Sequence, residues 1–567
     1  MKRRKFVKNL STAAATPIAL NGLPIRILGS DNVLNRMAAN SSNNRVLIIL
    51  QLIGGNDALN TFIPVKDYDQ YLSNRPSLAI PKSGNRSYIP LDSTVDIDAQ
   101  VGLHPDMTDF KDLYDSGKAA IFQSVGYENM SGSHFRGTDI VFQGIDGLSG
   151  DEDSGWLGRF IGSELAPLQF PDDFPSDDNP HPIALEMGSG TSGLLLHTGA
   201  VPTSVAIGDS PDEIAKIINT LDGFGESDDV LIRGKAPEFL DGTFYNDELD
   251  AILAVENQTE LYFQRITEVY DNSTETTVEY PTEYPFETPR RKENPLSAQL
   301  KLIARLLAGG IQTKVFRVTI GGFDTHANQV LDGDPTMGTH AALLYHVSSA
   351  MKAFQRDLAM RGLEERVMTV SISEFGRRIK ENGSHGTAHG RGGSVMLFGT
   401  GINPGIYGNT PDLSQNNIDY QLDYRQVYAN ILHEWMGVSR DRLANEVFFR
   451  DFIAGPDPRG GNFAPLNILS GTVLTTHDHL NKNYHIKRVY PNPANRFTKI
   501  EIFVNNIQNI QIDLLSVEGK KMTTTKRRVL PGSHSFQFHT VNLPQGLYLI
   551  KVLSEKLNES KWLWVRH

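Results

Sequence analysis

Short, almost continuous apolar runs recur between residues 45 and 400, and they constrain the fold more than any other feature of the sequence. The first run, residues 46–52, ends in Gly54-Gly55-Asn56-Asp57. A run of four to eight apolar residues between turn signals is typical of a strand that is buried on both faces, as in a parallel sheet. The predicted strands are residues 46–52, 119–125, 183–187, 313–320, 367–372 and 394–398.

Helical segments separate several of these strands. Residues 340–361 carry Leu344, Val347, Met351 and Leu358 at a spacing that predicts an amphipathic helix. Strands that alternate with helices predict an α/β fold with a doubly wound, mostly parallel sheet. In such sheets ligands bind beyond the carboxyl ends of the strands, so that edge is where a functional site is expected.

Polar and titratable side chains follow the predicted strands at this edge. Asp57 comes after the first strand, and Asp324 and His326 come after the strand near residue 315. Glu374 follows the next strand, and His389 lies in a glycine-rich segment before the last one. Each has an ordinary interpretation as a turn former, a helix cap, an ion-pair partner or a solvated loop residue. Their convergence at equivalent strand ends favours a shared polar site.

Composition limits the chemistry of such a site. The 567-residue chain has no cysteine, which excludes disulfide frameworks, thiolate metal sites and cysteine nucleophiles. The formal net charge of −12 conceals +6 on residues 1–29 and +8 on residues 487–567, which leaves −26 on residues 30–486. A region with this charge repels nucleic-acid phosphates and attracts divalent cations, so no nucleic-acid partner is expected.

The N-terminal segment predicts export. A basic start, residues 2–8, precedes a short apolar stretch at residues 10–20, and its paired arginines resemble a twin-arginine signal. The alternative is the basic helical start of a cytosolic protein. No run of 18 apolar residues occurs, so no transmembrane segment is expected. Residues 1–40 are therefore set apart as an export signal and polar leader.

The C-terminal segment, residues 487–567, predicts a small antiparallel β-sandwich. Short alternating strands are predicted at residues 500–504, 510–515, 535–539 and 547–552, with turn residues between them. The motifs VYPNPA, LLSVEGKKM and LPQGLYLIKV resemble the type A sorting domain of the type IX secretion system. This resemblance implies the type IX secretion machinery as a partner and a secreted or cell-surface location. The alternative is a carbohydrate-binding or other appended sandwich.

A second resemblance covers nearly all of residues 45–440. The motifs GGNDALN, SHF, GWLGR, GFDTHANQ, SEFGRR and GTAHGRGG occur in the order seen in a secreted bacterial domain-of-unknown-function family, numbered fifteen-oh-one. That family is similar to the alkaline phosphatase and sulfatase superfamily, whose strand-end acids and histidines hold divalent metals. The resemblance implies an alkaline phosphatase-like fold and an exported metal-dependent hydrolase of phosphate or sulfate esters.

The same resemblance implies roles for individual residues. Ser133 would be the nucleophile, with Ser131 as its rival and His134 as its catalytic neighbour, unless the serine only caps a helix. One or two divalent ions (Zn, Mn, Mg or Ca) are expected as the cofactor. The implied metal ligands are Asp57, Asp324, His326, Glu374 and His389.

Arginines near these motifs are candidates for binding the nonbridging oxygens of an anionic ester or glycan substrate. They are Arg136, Arg377 and Arg391, with Arg159 as a further candidate. Two positions depart from the usual family pattern: Ala388 stands where an aspartate is typical, and Gly132 where an arginine is typical. These losses leave open a catalytically degenerate surface or secreted protein that binds a partner.

Four segments follow from these observations. The α/β domain is expected over residues 41–453, with an insertion at about 207–300 that includes a helical stretch and a Tyr-Pro-rich surface segment. Residues 454–486 are predicted to be a linker, in which His477-Asp478-His479 is interpreted as exposed, with metal binding as the alternative.

Overall fold

The computed structural model describes residues 44–150, 152–165, 174–176, 179–188, 192–198, 201–207, 261–469, 484–490, 494–504, 508–516, 520–530, 532–554 and 558–566. These residues fall into two compact units, with the boundary at residue 471. The predicted export signal and the predicted His477-Asp478-His479 segment lie outside the described residues. None of the described helices is long and apolar enough to cross a membrane.

The described part of the first unit contains fourteen strands. In chain order they are β1 (Val46–Ile53), β2 (Phe62–Pro64), β3 (Ile89–Pro90), β4 (Val101–Leu103), β5 (Ala119–Gly126), β6 (Ala184–Met187), β7 (His197–Thr198), β8 (Val201–Pro202), β9 (Ser204–Ile207), β10 (Val315–Gly321), β11 (Val367–Ile372), β12 (Gly393–Gly399), β13 (Gly405–Tyr407) and β14 (Leu422–Asp423). Nine of them form one sheet, in the order β13-β5-β12-β11-β1-β10-β6-β9, with β14 beside β5.

The described part of the first unit also contains helices. They are α1 (Ala58–Thr61), α2 (Tyr68–Asn74), α3 (Thr108–Asp115), α4 (His134–Gln143), α5 (Trp156–Leu165), α6 (Pro295–Ala308), α7 (Thr339–Met360), α8 (Tyr424–Glu434) and α9 (Arg440–Arg442). Residues 261–271 are also helical, Glu364–Arg366 form a 3₁₀ turn, and Leu443–Val447 form a π turn.

The central strands are buried on both faces. Along β1, Leu47 and Ile49 belong to one apolar core and Ile48 and Leu50 to the other, because successive side chains point to opposite faces. Helices α6 and α7 contribute to the second core, whereas α4, α5 and α8 contribute to the first. Each buried leucine or isoleucine contributes roughly 1.5–3 kcal/mol of stability. This arrangement confirms the predicted α/β fold with helices on both faces of the sheet.

Strand direction decides which loops meet. Strand β1 is parallel to both β10 and β11, while β12 is antiparallel to β11 and to β5. The carboxyl ends of β1, β5, β10 and β11 and the amino end of β12 therefore lie at the same edge. The loops that carry the candidate site residues leave the sheet at this edge, as the sequence predicts.

Two segment boundaries differ from the sequence prediction. The predicted insertion extends to residue 300, yet α6 begins at Pro295 and Leu300 is buried in the core. The predicted linker begins at residue 454, yet Phe463 and Ile468 are buried in the first unit. Both segments carry apolar side chains that pack on the α/β core, so neither behaves as a surface insertion or an exposed linker there.

The second unit is an antiparallel β-sandwich. Its strands are β15 (Tyr484–Tyr490), β16 (Phe497–Val504), β17 (Gln508–Ser516), β18 (Lys521–Val529), β19 (Gly532–His539), β20 (Gly546–Leu553) and β21 (Asn558–Val565). They form the sheets β15-β16-β19 and β18-β17-β20-β21. Apolar side chains from both sheets, among them Ile500, Ile512 and Ile550, share one core. The predicted C-terminal antiparallel β region is confirmed.

Candidate metal centre

Two glycine-rich turns bring the ends of β1 and β10 together. Gly54 has a φ of +121°, and a Cβ at this residue would lie 2.2 Å from the backbone nitrogen of Asp324. Only glycine is compatible with both this backbone conformation and this approach. Asp324 therefore lies beside the turn that ends β1.

Side chains from three loops meet at Asp324. The Nε2 atom of His134, the first residue of α4, lies 3.4 Å from Oδ2 of Asp324. The Nε2 atom of His389, from the loop before β12, lies 3.2 Å from Oδ1 of Asp324. Potential ligand atoms of these three residues all lie within 4.8 Å of one another, a spacing that one metal ion can bridge.

His326 adds a third imidazole. Its Nε2 atom lies 3.2 Å from Oδ1 of Asp324 and 2.7 Å from Nε2 of His389. Two ring nitrogens this close repel each other unless a proton or a metal ion lies between them. We refer to His134, Asp324, His326 and His389 as the Asp324 cluster.

Hydrogen bonds on the far side of two rings fix their tautomers. Nδ1 of His389 lies 2.7 Å from the carbonyl oxygen of Gly132, which can only accept, so Nδ1 carries the proton. Nδ1 of His134 lies 2.8 Å from Oε1 of Glu374, which also accepts the backbone N–H of Gly54. In the neutral form of each ring, Nε2 therefore faces Asp324 with a lone pair, and among the described residues Nε2 of His134 is buried with no hydrogen-bond partner.

These contacts place Glu374 differently from the prediction. Its carboxylate contacts the outer nitrogen of His134 and lies behind that ring. A carboxylate in this position orients a ligating histidine and raises its basicity. The predicted role of Glu374 as a direct ligand is therefore corrected to that of a partner of His134.

Arg377 positions Asp324 and does not face an open site. Its fully buried guanidinium donates to Oδ1 of Asp324 at 2.6 Å and to four backbone carbonyls, those of Gly54, Gly55, Phe323 and Thr387. Burial raises the pKa of Asp324, but the hydrogen bond and positive charge of Arg377 lower it more, so the carboxyl has a pKa below its ordinary value. The predicted anion-binding role of Arg377 is corrected, because its N–H groups already have protein acceptors.

Asp57 lies outside the Asp324 cluster. Its Oδ2 atom accepts hydrogen bonds from Arg75 Nη1 and from Gln329 Nε2, both at 2.6 Å. Burial raises the pKa of this carboxyl, but the charge of Arg75 lowers it more, and the net pKa is below its ordinary value. The carboxylate is paired internally and 1% exposed, which argues against the predicted ligand role.

The predicted nucleophile lies next to the cluster. Ser133 is the N-cap of α4, is exposed, and its hydroxyl makes no capping hydrogen bond. The Ser131 hydroxyl accepts the backbone N–H of Ser133 at 3.2 Å. Within the described part of the chain the Ser133 hydroxyl has no hydrogen-bond partner, so it is the freer of the two.

The remaining arginines separate into exposed and structural ones. Arg391 is exposed, and Arg136, the third residue of α4, is half-buried. Arg159 is buried and donates to Val447 and Gln143 carbonyls at 2.8 and 2.6 Å, while burial lowers its pKa to about 10. The candidate anion-binding role of Arg159 is therefore corrected: its guanidinium is buried and stabilises the fold by donating to these carbonyls.

The donor set suits a particular kind of metal. Three imidazoles and one carboxylate are ligands that Zn²⁺ and other first-row transition metals prefer, whereas Mg²⁺ and Ca²⁺ prefer oxygen. The Nε2 atoms directed at Asp324, of which that of His134 is buried without a hydrogen-bond partner in the described part of the chain, fit a bound cation.

Three residues of the site escape sequence reasoning. The Phe375 ring packs against His134 and His389, with centroid distances of 4.9 and 4.7 Å. Arg75 and Gln329 support Asp57. Gln329 belongs to the GFDTHANQ motif, a signal that could have found it, but Arg75 follows α2 without any recognisable pattern.

Comparisons with known proteins address the two units separately. Residues 243–454 match the family described as "Protein of unknown function (DUF1501)", and residues 488–566 match the "Secretion system C-terminal sorting domain". A type IX sorting domain of this kind indicates export to the cell surface or secretion. No curated protein matches the chain.

Solved structures resemble the chain only distantly. One is an alkaline phosphatase superfamily protein from Vibrio parahaemolyticus, with 10% identity over 77% of this chain and 76% of that chain, at a TM-score of 0.31. Another is alkaline phosphatase from the Antarctic bacterium TAB5, with 12% identity over 65% of this chain and 96% of that chain, at a TM-score of 0.26.

A further solved structure is dimeric latent PorU from Porphyromonas gingivalis. It is 13% identical over 14% of this chain and 9% of that chain, at a TM-score of 0.13. Likenesses of this size do not extend to function. What the sequence comparisons show is a match of residues 243–454 to the DUF1501 family model and of residues 488–566 to the model of a secretion-system C-terminal sorting domain.

Proposed function

We propose that this protein is an exported metal-dependent hydrolase of phosphate or sulfate esters. The observation that carries the proposal is the convergence of two imidazole Nε2 atoms, from His134 and His389, on the carboxylate of Asp324. Glu374 and the Gly132 carbonyl bond to the outer nitrogens of these rings and so keep the Nε2 atoms directed inward. The arrangement has the features of a cation site with an outer shell already in place.

The four residues of the Asp324 cluster would hold the cation. A bound divalent ion supplies Lewis acidity toward an ester oxygen and offsets developing negative charge. Exposed Arg391, with Arg136 in the first turn of α4, would bind nonbridging oxygens of the ester.

The Ser133 hydroxyl would act as the nucleophile. Its oxygen forms a bond to phosphorus or sulfur while the bond to the departing alcohol breaks. Water then cleaves the seryl ester and releases phosphate or sulfate, which restores Ser133. The free hydroxyl and its place one residue before His134 support this assignment.

Metal content and turnover test the proposal together. Purified protein is expected to retain about one equivalent of a divalent transition metal, in keeping with the one cluster of donors among the described residues. Aryl phosphate or aryl sulfate hydrolysis should fall by at least about 10³-fold in Ser133→Ala, with Ser131→Ala as the matched control. Equal rates in the two variants would remove Ser133 from the mechanism.

A catalytically degenerate binding protein is the second candidate. Two observations favour it. The side chain of Ala388, in the loop that carries His389, has no atom that can bind a metal, and Asp57 forms an ion pair with Arg75. A protein that binds metal but turns over neither ester, with or without added metal, would support this candidate against the hydrolase.

A further inference from the structure

Gln329 links the two histidine-bearing loops to the protein interior. It lies in the loop after β10, three residues beyond His326, and its side chain is completely buried. Nε2 of Gln329 donates to Oδ2 of Asp57 at 2.6 Å. Oε1 of Gln329 accepts the hydroxyls of Thr325 and Thr387, at 2.9 and 3.0 Å.

Each threonine is a chain neighbour of the cluster. Thr325 lies between Asp324 and His326, and Thr387 lies two residues before His389. The backbone N–H of Thr387 donates to the carbonyl of Thr325 at 3.0 Å, so the two loops are also paired directly. One amide oxygen thus bonds to both loops, in addition to the backbone hydrogen bonds that pair them.

The loops approach too closely to tolerate displacement. A Cβ at Gly386 would lie 2.4 Å from the carbonyl oxygen of Thr325. The backbone N–H of Gln329 donates to the carbonyl of His385 at 2.9 Å, which adds a second backbone bond between the loops. The spacing of the His326 and His389 rings depends on this pairing.

The hydrogen-bond network of Gln329 ends at a buried ion pair between Arg75 and Asp57. Arg75 is fully buried and donates to Asp57, to Asn60 Oδ1 at 2.8 Å and to the carbonyls of Ile379 and Arg378, both at 2.7 Å. Asp57 is thereby fixed on one side and holds Gln329 on the other. A buried carboxylate with these partners orients an amide with little freedom.

We infer that Gln329 is a positioning residue that, anchored by Asp57, sets the distance between the His326 and His389 rings through Thr325 and Thr387. The inference rests on the metal site of the proposed function. Asp57 thus acts on the site from the interior, through Gln329, and does not bind the metal itself.

Gln329→Met tests this role, because methionine preserves the size of the side chain but removes both its donor and its acceptor. Gln123→Met is the matched control, since Gln123 is also buried and bonds to the carbonyls of Ala99 and Gly408, at 3.0 and 3.3 Å. In metal-free protein, amide hydrogen exchange of residues 383–391 should be about tenfold faster in Gln329→Met than in Gln123→Met. Zn²⁺ affinity should fall about 10- to 100-fold in the same comparison.

A second pair of variants covers the case in which Gln329→Met does not fold. The double variant Thr325→Val, Thr387→Val removes both hydroxyls and should reproduce the loss of Zn²⁺ affinity. The double variant Thr325→Ser, Thr387→Ser keeps them and should stay within about threefold of wild type. With Co²⁺ in the site, the visible spectrum should change in the valine variant and not in the serine variant.

Two results would overturn the inference. One is hydrogen exchange and Zn²⁺ affinity in Gln329→Met equal to those of Gln123→Met, and the other is equal Zn²⁺ affinity in the valine and serine variants. The exchange measurement needs neither metal nor substrate. A wild type that binds Zn²⁺ but hydrolyses no ester would contradict the proposed function and leave the role of Gln329 intact.

Discussion

The ends of β1 and β10 carry the same local sequence, Gly-Gly-X-Asp, and use it for different purposes. The two strands are parallel neighbours, and their turns begin at equivalent places in the sheet, since Ile53 pairs with Gly321. Asp57 ends the first turn and Asp324 the second, and each is bonded to a fully buried arginine, Arg75 or Arg377. Local sequence and ion pairing therefore do not distinguish the two acids.

The surroundings of Asp57 and Asp324 distinguish the two acids. The side chain of Asp57 is 1% exposed and its bonded oxygen faces Arg75 and Gln329, whereas that of Asp324 is 46% exposed and faces three histidine rings. Arg377 donates to Oδ1 of Asp324, while Oδ2 of the same carboxylate faces His134. Each carboxylate accepts the hydrogen bond of its arginine at one oxygen, so what distinguishes Asp324 is its exposure and the histidine rings that face it.

The largest effect is expected when the buried acid is removed. Asp57→Ala leaves the guanidinium of Arg75 buried without its carboxylate, which should cost about 3–5 kcal/mol in the free energy of unfolding. Urea denaturation of the purified variant measures this loss.

A double-mutant cycle isolates the ion pair. The double variant Asp57→Ala, Arg75→Met removes both charges and should be less destabilised than the sum of the two single variants. Strict additivity of the single effects would show that the two side chains do not act as a pair.

Removing the exposed acid should separate metal binding from stability. Asp324→Asn keeps an oxygen for Arg377 but lacks the charge that a cation requires, so Zn²⁺ affinity should fall about 100-fold. Because Asp324 is nearly half exposed, its loss should change unfolding by only about 1 kcal/mol. Calorimetric titration and urea denaturation of the same variant provide both values, and a loss of stability as large as that in Asp57→Ala would erase the distinction.

The sequence predicts much of the fold and only part of the site. Strand β11 is predicted at its observed limits and α7 within one residue of them, because apolar periodicity reports burial directly. Asp324, His326 and His389 are expected at one edge, and they meet there. The burial of Asp57 is not predictable in the same way, since its partner Arg75 lies 18 residues further along the chain and is not marked by any motif.

The difference between predicted and observed roles has one physical source. Whether an acid or an arginine faces a ligand depends on how many internal partners saturate it, and those partners come from distant loops. Arg377 illustrates this point, because its acceptors include carbonyls of Gly54, Phe323 and Thr387, which lie in three separate segments. Periodicity and spacing carry no information on such contacts.

A smaller effect is expected behind the cluster. Glu374→Gln keeps an oxygen near His134 Nδ1 but loses the charge that strengthens this hydrogen bond, so Zn²⁺ affinity should fall about tenfold. Glu381→Gln is the matched control, because Glu381 accepts hydrogen bonds from Ser77 and the N–H of Leu78 and contacts no histidine in the described residues. Equal Zn²⁺ affinities in the two variants would show that the Glu374 carboxylate does not support metal binding through His134.

A different kind of effect, a dependence of stability on pH, is expected on the buried side of the comparison. His340 Nε2 lies 3.1 Å from Asn56 Oδ1, and burial is the largest cause that lowers the pKa of His340 to about 4, against an ordinary value of 6.5. Between these two pH values the unfolded chain binds a proton at this residue that the folded chain rejects. Stability should therefore be fully present above pH 6.5 and should decrease as the pH falls toward 4, by about 1.4 kcal/mol per pH unit for this one group.

His340→Gln removes that proton without adding a charge. The slope of the unfolding free energy between pH 4.5 and 6.5, measured by urea denaturation, should decrease by about one proton relative to wild type. His433→Gln, at a half-buried ring near the end of α8, is the control for the substitution of a histidine by glutamine. An unchanged slope in His340→Gln would mean that this ring titrates as freely as in the unfolded chain. The interior around Asp57 would then be open to water, and the contrast with Asp324 would rest on the arginine contacts alone.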